Sequence, residues 1–204
     1  MDIVLTLLII IAGWQVVRVR YQRAHITLLA RHLSNLQLER HMENLTQGYL
    51  RAIHEESASR QLQILETYAQ TERTVASQVQ TLANAVHKES RQAASLCSLA
   101  LCVPYVERFL PAFTRDFREL LQIHAAGLRY VVDNESGWDL KTRAFHLSAE
   151  LYLLQHSCHW FCKSRAVADA RLMLKHQVNH QKTLDSVSSV TRNAYMRWLD
   201  GGNR

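Results

Sequence analysis

Glycine and proline are scarce, at 6 and 2 of 204 residues. No run of β-branched residues is bracketed by turn signals, so a sheet-rich fold is excluded and an all-α protein is expected. Also missing are a glycine-rich phosphate loop, a GxSxG elbow, a CxxC knuckle and an HExxH helix. No pair of carboxylates sits in an apolar helix face either. These absences leave no visible catalytic machinery, and a non-enzyme is expected.

Charge and apolar residues, by contrast, are present in ordinary amounts, 21% and 48%, which fits a folded chain and not a disordered tail. The net charge of +6 is unevenly placed. Residues 141–204 hold 10 Lys/Arg against 4 Asp/Glu, whereas residues 1–140 balance at 14 and 14. The basic character belongs to the C-terminal third, which suits an acidic partner such as lipid headgroups, nucleic acid or protein.

Ile3 to Val17 reads IVLTLLIIIAGWQVV, free of charge and followed by Arg18, Arg20 and Arg23. A helix over 1–21 reaches a bilayer's thickness if Arg18 and Arg20 snorkel, with Trp14 and Tyr21 near the rim. Asp2 precedes the apolar core and no small-residue cleavage site follows it, so a transmembrane anchor is favoured over a signal peptide. The arginines on the C-terminal side place the N-terminus outside and the rest in the cytoplasm, with reduced cysteines. A bare N-terminal anchor suits a bacterial inner membrane.

From Ala24 to Cys102 there is no proline and only Gly48, so the expectation for 22–102 is a long helical stalk. Leu62, Leu65, Ala69, Glu72, Ala76, Val79, Ala83, Val86, Ser90, Ala93, Cys97 and Ala100 step alternately by three and four, a heptad seam with polar breaks at Glu72 and Ser90. It could pack between chains as a coiled coil or within one chain as a bundle. Leu62, Leu65, Ala69, Val79 and Val86 are the candidate partner contacts. Pro104 should end this helix, and 103–204 should form a basic antiparallel bundle. Its expected helices run from Pro111 to the DNESGW break, from Leu140 (after Ser136-Gly137-Trp138-Asp139, which supplies a turn and an N-cap) to about Thr183, and from Ser186 to Leu199, stopped by Gly201-Gly202.

The stretch HSCHWFC, His156 to Cys162, brings cysteines and histidines together. Cys158 falls on the Leu147-Leu151-Leu154-Phe161 stripe with Cys162 roughly 40° away, while His156 should face away from both. Cys158, Cys162 and His159 are therefore the only local metal-ligand candidates, and plain packing is the preferred reading over metal or redox chemistry. His176 and His180, on the same continuous helix, should lie about 27 Å from the cysteines. Arg171, Lys175 and Lys182 align on one basic face, suited to anionic lipid and less to nucleic acid.

Together these features suggest a membrane-anchored cytoplasmic helical scaffold without cofactor, acting by homo-oligomerisation or by binding a partner helix. The alternatives are a metal- or redox-responsive tethered sensor and a tethered nucleic-acid binder.

Overall fold

The computed structural model describes residues 2–201; Met1, Gly202 and the terminal Arg204 of the basic third lie outside the described residues. The fold is all-α but for one small two-stranded sheet. The helices are α1 Asp2–Leu33, α2 Leu38–Ile53, α3 Ala58–Thr67 and α4 Ala69–His87, then α5 Val106–Phe109, α6 Phe117–Val132, α7 Leu140–Cys162, α8 Arg165–His176, α9 His180–Ser186 and α10 Ser189–Leu199. Strands β1 Ser95–Cys97 and β2 Thr114–Asp116 pair antiparallel, Ser95 opposite Asp116 and Cys97 opposite Thr114. At three residues each, they fall below the length at which alternation can be read from sequence.

α1 is one unbroken helix with two characters. Among the described residues it alone is long and apolar enough to cross a membrane. Ile3 to Val17 are exposed, whereas Tyr21, Gln22, His25, Leu28 and Leu29 are buried against the rest of the chain. The neutral His25 donates from Nδ1 to the Phe161 carbonyl at 2.9 Å. Its ring stacks on Phe161 at 4.4 Å, and Phe161 stacks in turn on Phe117 at 4.0 Å.

The segment expected to be one stalk is four helical pieces that fold back on themselves. A single helix over 22–102 would be about 120 Å long with its apolar seam uncovered; folding back buries that seam instead. The breaks use polar side chains, not proline or glycine. Ser34 Oγ donates to the Arg31 carbonyl and His54 Nδ1 to the Leu50 carbonyl, local bonds that compete with helix continuation. Gly48 is buried where a Cβ would overlap the Tyr68 ring, so it marks close packing of α2 against the α3–α4 junction. The helix also ends at His87, well before Pro104, which lies in the loop joining β1 to α5.

The core lies where α4 packs along α6, and α6 against α7, with α10 crossing α6. Thr191 of α10 sits so close over Gly127 of α6 that no side chain could replace the glycine's hydrogen without moving it. Leu82, Leu120, Leu121, Leu128, Leu147, Leu151 and Leu153 are completely buried there. The expected third helix, Leu140 to Thr183, is interrupted twice. It turns at Lys163–Ser164, and Gln177 adopts a left-handed φ of 55° that ends α8.

Candidate functional site

α7 is covered on nearly every side, by α1, α2, α3, α6, α8 and α9. The arithmetic of one apolar stripe therefore fails for HSCHWFC. His156 is buried, not turned to solvent, and donates from Nε2 to Asp169 of α8 at 2.7 Å. Trp160 is also buried and donates to the Cys97 carbonyl at 2.8 Å. Cys158 and Cys162 are half-buried and free. Burial pushes both thiols up, Cys162 to about 11, so they stay protonated and weakly nucleophilic. His159 is half-buried, and burial, with Arg171 beside it, lowers it to about 4. Its Nδ1 accepts from Arg171 Nη1 at 3.1 Å. Among the described residues no three His, Cys, Asp or Glu side chains are grouped to hold a metal ion.

The turn after α8 also moves His180. It is not 27 Å from the cysteine motif: its ring lies 4.5 Å from that of His156, centroid to centroid. A buried polar seam results. His180 Nε2 is bonded to the Tyr195 hydroxyl at 3.0 Å and His124 Nε2 to the Ser157 hydroxyl at 2.8 Å. Burial lowers His124 to about 3 and His180 to about 4, and lowers His156 despite Asp169. All three are neutral imidazoles at neutral pH. Glu150 is fully buried. Its Oε1 accepts from the Ser188 backbone N–H at 3.1 Å and hydroxyl at 2.9 Å, and desolvation pushes it up to about 7. His124, Ser157 and Glu150 are each 0% exposed, and their bonds join α6 to α7 and α7 to the start of α10 inside the core.

A second buried polar cluster fixes the N-terminal helices. Glu72 accepts from the Tyr49 hydroxyl at 2.6 Å and from Arg143 Nη2 at 2.8 Å. The sequence shows Glu72 only as a polar break in the seam; its partner lies 71 residues away.

The candidate surface residues separate. Leu65, Val79 and Val86 are core residues, Val79 and Val86 at 0% exposure, so this part of the seam packs within the chain. Ala69 is half-buried and Leu62 is exposed. The basic face is also split: Arg171 and Lys175 border a surface hollow of about 420 Å³ with His159 and His176, while Lys182 lines a different cavity.

That second cavity is a groove of about 580 Å³ between α2, α3, α7 and α9. Its walls are mostly apolar, with Tyr49, Leu65, Ala144 and Ala149 deeper in and Leu50, Ile53 and Phe145 exposed at 57%, 70% and 57%. Lys141 and Lys182 are its charged lining residues. It draws on four helices and is not legible in any one stretch of sequence.

No protein-family model matches the chain, and comparison with curated proteins and with solved structures finds no significant match.

Proposed function

We propose that this chain is a single-pass membrane protein, N-terminus outside and helical domain in the cytoplasm, that works as a non-catalytic scaffold by holding a partner helix. The groove between α2, α3, α7 and α9 carries this reading. It exposes Leu50, Ile53 and Phe145 together and bears cations but no acid on its lining. Such a groove fits an amphipathic helix whose apolar stripe is flanked by acidic residues. Homo-oligomerisation through the heptad seam is not favoured, because Val79 and Val86 are already covered. The complete burial of His124, Ser157 and Glu150 supports the non-catalytic reading. The orientation rests on Arg18, Arg20 and Arg23 following the apolar segment.

Benzophenone amino acids placed in cells at position 53, in the groove, or at position 129, an exposed site on α6, test the groove. The expected result is one discrete adduct to another protein at 53, lost in Phe145→Asp with an unchanged melting curve. Self-adducts alone, or equal adducts at 53 and 129, would overturn partner-helix binding. A reporter fused after Arg204 that reads the external compartment would overturn the orientation.

A further inference from the structure

The loop between β1 and β2, residues 98–113, exposes Leu101 at 64%, Phe109 at 78%, Leu110 at 51% and Phe113 at 44%. Its position gives these side chains a meaning. The Tyr21 hydroxyl donates to Glu107 at 3.2 Å, and the Tyr21 and Tyr105 rings meet edge to face at 5.2 Å. The loop thus packs on α1 about one helical turn beyond Val17, where the charge-free segment ends. Tyr105 holds a left-handed φ of 57°, unusual for a bulky side chain, and the Arg108 guanidinium lies 5.1 Å from the centre of its ring. On the α1 side of the same contact, Arg20 and Arg23 are exposed.

We propose that this loop is a second membrane contact, seating Leu101, Phe109 and Leu110 in the interfacial layer of the bilayer that α1 enters. The proposal rests on reading residues 1–21 as a membrane span. Aromatic and aliphatic side chains interleaved with arginine are the composition that the headgroup boundary favours, with rings and chains among the acyl carbons and guanidinium groups at the phosphates. Glu107, the acid facing this junction, is held by the Tyr21 hydroxyl and does not oppose the phosphates bare. The occupant is lipid and not a protein partner, because the contacts of Tyr105 and Glu107 with Tyr21 hold the patch about one helical turn from where α1's charge-free apolar surface ends. Two attachments, one spanning and one lying in the boundary, would fix the tilt of the domain as well as its distance from the membrane.

The test uses the full chain in vesicles of phosphatidylethanolamine and phosphatidylglycerol, with a benzophenone amino acid at position 9, 109 or 145. All three sites are exposed in the isolated chain. After irradiation, lipid adducts are quantified by mass spectrometry. Adduct yields at 9 and 109 that both exceed the yield at 145 several-fold are expected. Strong labelling at 9 with 109 no higher than 145 would overturn the loop contact and leave the span intact. Background labelling at both 9 and 109 would overturn the span and the loop contact with it.

Discussion

α2, α3 and α4 begin at Gln37, Ser57 and Tyr68, and none of these side chains caps a backbone N–H in the first turn of its helix. α6 to α10 begin at Asp116, Asp139, Ser164, Asn179 and Ser188, and every one of those side chains does. The C-terminal helices carry their own start signals, so local chemistry sets their ends. The N-terminal helices end where long-range packing requires it. Their fixing points are tertiary: the Glu72–Arg143 pair with Tyr49, Gly48 against Tyr68, and Glu89 paired with His32 at 2.8 Å.

The sharpest way to break this contrast is Glu72→Ala. It leaves the half-buried Arg143 without its counter-charge and should cost about 3–5 kcal/mol in chemical denaturation. Replacing both partners together, Glu72→Met with Arg143→Met, should recover most of that loss. If Glu72→Ala unfolds at the same denaturant concentration as the parent, tertiary fixing of the N-terminal half is refuted.

The C-terminal half should instead respond to pH. Glu150, raised from its ordinary 4.5 to about 7, binds a proton more readily folded than unfolded. Its contribution is present below about pH 4.5 and lost as pH rises through about 7, a change on the order of 3 kcal/mol. The lowered His124, His156 and His180 act with the opposite sign: their contribution is full above about pH 6.5 and is lost as pH falls toward their folded values. Stability measured against pH should therefore drop on the acid side. The difference between parent and Glu150→Gln should decline steadily from about pH 4.5 to 7. A flat difference curve would remove Glu150 from this account.

Smaller effects sharpen the picture. Cys158→Ala and Cys162→Ala should each cost about 1–2 kcal/mol, as loss of one small packed group does, and chelator should leave both melting curves unmoved. Asn179→Ala should cost about 1 kcal/mol through lost capping of α9, whereas Ser57→Ala should stay within about 0.5 kcal/mol because Ser57 caps nothing. Equal losses at Asn179 and Ser57 would erase the distinction between the halves.

The same contrast explains what could be read in advance. Asp139 before Leu140 and the end at Leu199 were legible because the signals are adjacent in the chain. The breaks at 34–37, at 54–57 and at Tyr68 were not, because no proline or glycine stands there and the local Ser34 and His54 bonds are ones a continuing helix also accommodates. The three-residue strands were too short to show alternation, and a left-handed Gln177 carries none of glycine's warning. The cysteine motif was readable as core at Cys158 but misread at His156, since α7 is surrounded and a surrounded helix has no solvent side to infer. Glu72's role and the groove depend on residues far apart in sequence, joined only by the fold.

α1 runs from Asp2 to Leu33 without a break, its first half apolar and exposed and its second half locked into the domain. Such a helix has no swivel. Axial rotation of the apolar half must turn the whole domain with it, as a shaft turns a wheel. One residue inserted near Val19 would re-phase the two halves by about 100° and lengthen the shaft by about 1.5 Å. The angular position of the groove around the α1 axis is thus encoded in the number of residues between Val17 and Tyr21.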